Sequence, residues 1–146
     1  MAGKFKLQSV LNYRQSLEDQ AQQVLAASLQ RHNELEAQLQ QQRQNLQQHD
    51  GELKQRQQEG LTVAEIDLYE SQIQHCRRLI ENFQERLLQL DQQIISERKE
   101  LLHVARERQV MEKLKDKQDA EYRQELSRKE RIMLDEISLR NKGNNS

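Results

Sequence analysis

Apolar residues recur along this chain at alternating steps of three and four, the repeat that turns one stripe of an α-helix toward a partner helix. From residue 66 the stripe reads Ile66, Tyr69, Ile73, Cys76, Ile80, Phe83, Leu87, Leu90, Ile94, Glu97, Leu101 and Val104, with Glu97 as its one charged interruption. An earlier stretch carries Leu25, His32, Leu39, Leu46 and Leu53 at intervals of seven, beside a weaker row of Ala21, Ser28, Leu35, Gln42, His49 and Arg56. Between the two stretches stand Gly60 and the run Thr62-Val63-Ala64-Glu65. A glycine just past one helix, then a Thr with a Glu three residues later to cap the next, marks a tight turn between helices. The pattern predicts a first helix over residues 4–58, a turn at 59–62, a second helix over 62–141 and a frayed tail at 142–146. Gly51 interrupts the first helix without ending it, since one glycine costs a long helix only about 1 kcal/mol.

Folding the chain back at residue 61 sets Leu53 opposite Tyr69, Leu46 opposite Cys76, Leu39 opposite Phe83 and His32 opposite Leu90. The second row falls into the same register, with Leu35 opposite Leu87, Ser28 opposite Ile94 and Ala21 opposite Leu101. Small residues meet large ones, as interdigitating layers require. The fold class is all-α: one antiparallel two-helix coiled coil, a helical hairpin with a C-terminal overhang. Toward the free ends the register decays, because Arg14 would face Arg108 and Leu7 would face Lys115, so that end should be looser than the hairpin end.

The second helix outruns the first by roughly 25 residues, and an isolated helix of that length is marginal in water. From Ala105 to Lys142, 20 of 38 residues are charged, against 8 of 39 from Gln20 to Gln58. Apolar residues persist there: Met111, Tyr122 and Met133 are spaced by eleven, as are Leu126 and Ile137. An eleven-residue repeat keeps them on one face of a nearly straight helix. Exposed apolar stripes mark contacts, so the overhang is expected to bind another protein.

Composition agrees. Of 146 residues, 34% are hydrophobic, 32% charged and 3% aromatic, with no Pro and no Trp. A compact domain uses roughly 45–50% apolar residues, which excludes a filled globule. Disorder fits no better, because the net charge is −1 and the chain is rich in the helix formers Gln and Leu, 25 and 21 of them. The balanced charge argues against nucleic acid as a partner. No apolar run is long enough for a secretory signal or a membrane span, and Cys76 is the single cysteine. A soluble cytoplasmic protein that works by contacting other proteins is expected.

Candidate chemistry is thin. His32 and His49 fall on the first seam, His75 adjoins Cys76 and His103 stands apart. His49 could approach Cys76, but two ligands fall short of the four of a structural zinc site. No phosphate loop, nucleophile elbow or paired CxxC occurs, and a two-helix hairpin offers no water-excluding pocket. No catalytic residue, cofactor or metal is expected, and the protein is not expected to be an enzyme.

Three stretches resemble a known family. The start Phe5-Lys6-Leu7-Gln8-Ser9-Val10-Leu11-Asn12-Tyr13-Arg14 resembles the opening F-x-L-Q-x-V-L-x-x-R of the flagellar export proteins of the FliJ family. The turn Leu61-Thr62-Val63-Ala64-Glu65 with Tyr69 is similar to that family's hairpin region. The run Glu107-Arg108-Gln109-Val110-Met111-Glu112-Lys113-Leu114, followed by Tyr122, Glu130 and Leu134-Asp135-Glu136, looks like its charged terminal block. The Gln-rich middle of the first helix departs from the pattern.

The resemblance implies a cytoplasmic, stalk-like component of the flagellar type III export apparatus, peripheral at the inner membrane without inserting into it. It implies binding to a hexameric export ATPase of the FliI type, promotion of its assembly, and coupling to an export gate protein of the FlhA type. Export chaperones are implied as further partners. By carry-over, Met111, Leu114, Tyr122, Leu126, Glu130, Met133 and Asp135 are candidates for the ATPase ring contact, and Gln72, Arg78 and Leu79 for the gate contact. The competing readings are a generic oligomerising coiled coil and a prefoldin-like helical chaperone. The isolated chain is expected to be a monomer or to self-associate weakly.

Overall fold

The computed structural model describes residues 2–144, with side chains from Leu7 to Gly143. Two helices account for it: α1 (Ala2–Glu59) and α2 (Val63–Asn144). α1 begins two residues before its expected start, and α2 continues three residues past its expected end. Residues 142–144 of the anticipated tail are therefore helical. Asn145 and Ser146 of that tail, and the side chains of Phe5 and Lys6, lie outside what is described.

The turn forms where its chemistry predicts. Gly60 takes a φ of 94°, the left-handed conformation that closes a helix and that a Cβ disfavours. Thr62 then caps α2: its Oγ1 accepts the Glu65 backbone N–H at 3.2 Å, and its carbonyl accepts the Ile66 N–H at 3.1 Å. Gly51 sits within helical backbone, and an added Cβ would meet nothing within 4 Å.

The helix pair divides into two compact units. The hairpin unit runs from Gln20 to Leu101, and the terminal unit joins residues up to Asp19 with those from Leu102 onward. In the hairpin unit, Leu39 and Leu53 of α1 and Ile73, Cys76, Leu90 and Ile94 of α2 are buried, at 4–9% exposure. All six are seam positions, and each buried aliphatic side chain stabilises the pair by about 1.5–3 kcal/mol. Ser28, expected opposite Ile94, is buried and donates its hydroxyl to Glu97 Oε1 at 3.0 Å. His32, expected opposite Leu90, meets the adjacent Asp91 at 2.8 Å. Near the turn the Arg56 guanidinium lies 5.9 Å from the Tyr69 ring centroid, a cation–π contact.

The terminal unit is built differently. Among the described residues, Leu11 and Val104 are its buried apolar side chains, Leu7, Leu17 and Met111 are half-buried, and charged side chains share the interface with them. Arg14 does not face Arg108 as the register predicted. It pairs with Glu107, while Arg108 pairs with Glu18 across the helices and with Glu112 along α2 at 2.7 Å. A small offset between the helices replaces a like-charge contact with two opposite ones. From Arg123 to Gly143 every residue of α2 is exposed.

Candidate functional site

Hairpin periodicity leaves two surfaces on which a partner could be recognised. The first is the end of α2. Leu7, the first α1 residue whose side chain is described, lines a groove of about 270 Å³ with Leu114, Lys117, Gln118 and Glu121. Past Tyr122 the apolar side chains stand in solvent: Leu126 is 42% exposed and Met133 62%. At about 100° per residue, Met111, Tyr122, Leu126 and Met133 share a face, and so does Ile137. Met111 and Tyr122 are half-buried on that face, and Glu130 is exposed at its edge. Leu114 lies to one side of the face, and Asp135 falls on the opposite side of the helix.

Three further apolar residues in this stretch, Ile132, Leu134 and Leu139, are exposed by half or more. Ile132 and Leu139, seven apart, sit on the side of the helix away from Leu126. The eleven-residue spacing passed over them because it selects one face only. An apolar residue on each side of a charged helix is a signal readable in the sequence once both spacings are tried.

The second surface lies in the hairpin unit. Gln72 and Leu79 line one open groove of about 540 Å³ with Gln42, Asn45, His49, Ser71, His75 and Cys76. Arg78 is exposed and stands outside that lining. The groove exists because Gln42 and His49 occupy seam positions that aliphatic side chains would fill. His49 Nδ1 is buried there without a hydrogen-bond partner. Cys76 is a free, buried thiol. Among the described residues, no group of three or more His, Cys, Asp or Glu side chains converges as a metal site would require.

Electrostatics distinguish the two units further. The Glu18 carboxylate, and after it Glu112, holds the Arg108 guanidinium above its already high ordinary pKa. His103 Nε2 lies 3.0 Å from Glu107 Oε1, so Glu107 contacts groups on both helices. Ion pairs that solvent reaches each contribute less than one buried leucine. The terminal unit is therefore the more weakly held of the two per residue of interface.

An all-α hairpin with open grooves and an uncovered, charge-rich helix end defines a class of protein whose chemistry is helix-surface recognition. Among the described residues, no helix is long and apolar enough to cross a membrane. The family model described as the flagellar FliJ protein matches residues 3–146, and the chain belongs to that family. No curated protein and no solved structure matches it. Family membership gives the chain a role associated with flagellar protein export.

Proposed function

We propose that this chain is a stalk-like coiled coil of the flagellar export apparatus whose α2 end binds the hexameric export ATPase, promotes its assembly and couples it to the export gate. The observation that carries the reading is the end of α2, where residues 123–143 are wholly exposed yet hold Leu126, Ile132, Met133, Leu134, Ile137 and Leu139. A helix with apolar residues around much of its circumference is one that becomes surrounded. Entry into a protein ring surrounds a helix in that way. Met111, Tyr122, Leu126, Glu130 and Met133 form the principal contact face, with Leu114 and Asp135 meeting other parts of the ring wall. Gln72 and Leu79, which share the polar groove, and the exposed Arg78 beside them form the gate contact. Export chaperones are further partners.

The test is hexamer formation and turnover of the export ATPase with the full chain, compared with a chain ending at Leu114. The shortened chain is expected to lose stimulation. Equal stimulation by both would remove the α2 end from the contact and with it this reading.

Leu88 and Ile95, seven residues apart in the hairpin unit and 66% and 56% exposed, favour a second reading as a self-associating coiled coil. Sedimentation velocity separates the two, since the stalk reading expects a monomer or weak self-association and the second a tight dimer that Leu88→Ser with Ile95→Ser dissolves.

A further inference from the structure

The hairpin unit and the terminal unit hold α1 against α2 by different forces, and the difference has a mechanical consequence. In the hairpin unit the interface is mainly a row of buried apolar side chains, interrupted by the Ser28–Glu97 polar layer. In the terminal unit, among the described residues, one apolar residue from each helix is buried, Leu11 and Val104, with Leu7, Leu17 and Met111 half-buried, and Arg14 with Glu107 and Glu18 with Arg108 add ion pairs across the helices. These two cross-helix pairs are each tied to a neighbour on α2, Glu107 to His103 and Arg108 to Glu112. Glu18 and Arg108 are 14% and 20% exposed, Arg14 and Glu107 both 34%, so the clasp is within reach of ions.

We infer that residues 7–19 of α1 form a releasable strap, clasped to α2 by charge, that detaches while the hairpin unit stays closed. Screening lengths fall from about 14 Å near 0.05 M salt to about 4 Å near 0.5 M, whereas burial of aliphatic side chains does not weaken with such a change. The two units should therefore respond to salt in different ways. Release would uncover Val104, Arg108 and Met111 on α2, which lie N-terminal to the exposed end. The strap would thus set how much of α2 a partner can grasp. This last step rests on reading the α2 end as a partner contact, whereas the strap itself does not.

Amide hydrogen exchange on the full chain at 0.05 M and 0.5 M sodium chloride tests it without any partner. Backbone amides of residues 7–19 are expected to exchange about three- to fivefold faster at the higher salt, while those of residues 28–53 and 73–94 keep their rates within twofold. Arg14→Glu, which sets two carboxylates against each other, should speed exchange of residues 7–19 at low salt. Adding Glu107→Arg should restore it, because the pair is then re-formed with its signs exchanged. A strap that exchanges in step with residues 28–53, shows no salt response, or is not rescued by the exchanged pair overturns the inference. ATPase stimulation is scored separately. A strap that opens on schedule in a chain that does not stimulate the ATPase would sink the partner reading and leave the strap standing.

Discussion

Leu88 and Leu90 stand two positions apart in α2, yet the first is 66% exposed and the second 4%. Only the second falls on the three-and-four repeat, so helix geometry alone separates a core residue from a surface one. Leu90→Ala should cost about 2–4 kcal/mol, through lost transfer energy plus the cavity left behind. Leu88→Ala should stay within about 0.5 kcal/mol. Urea unfolding followed by circular dichroism reads both, and equal effects would mean the seam is misplaced.

Glu97 presents the opposite case, a charge on the stripe. Its Oε1 accepts hydrogen bonds from Ser28 and from Gln93 at 2.9 Å, while Oε2 is buried without a partner. Ser28→Ala should therefore cost about 1 kcal/mol. Ser28→Ala combined with Glu97→Leu should be more stable than the natural chain by about 1 kcal/mol or more, because a half-satisfied polar layer becomes an apolar one. If neither variant moves the unfolding midpoint, that layer is solvated.

At the scale of the element, two glycines in α1 and the turn have opposite consequences. Gly51 is helical with open space where a Cβ would sit, so Gly51→Ala should raise stability by about 0.5–1 kcal/mol. Gly60 has a φ of 94°, so Gly60→Ala should lower stability by about 1–2 kcal/mol through strain in the left-handed conformation. Thermal unfolding monitored at 222 nm should move in opposite directions for the two. α2 stays helical through its exposed stretch because that stretch contains no breaker before Gly143, and pairs such as Lys129 with Glu125 lie one turn apart.

For the whole molecule, the two units imply separable roles. The chain ending at Leu114 retains every buried residue of the hairpin unit. Its coiled-coil melting should match the full chain within a few degrees, although stimulation of the export ATPase is expected to disappear. A large loss of stability in the shortened chain would show that the end of α2 supports the fold despite its exposure.

The three-and-four repeat, the missing prolines and the Gly60–Thr62 pair determined by themselves that this chain is a helical hairpin with a bare end, because helix periodicity and capping are local physics. They also marked the stretch of α2 that is left exposed, since apolar residues on a helix with no second row opposite must remain uncovered. The sequence could not decide how charges settle where the apolar seam gives out. Arg14 and Arg108 look opposed on paper, and only the packed pair of helices, with its small offset, matches them to Glu107 and Glu18. Nor could it show that Gln42 and His49 open a groove beside Gln72 and Leu79. Both depend on relative placement of two helices to within an ångström or two, which no single-helix pattern encodes.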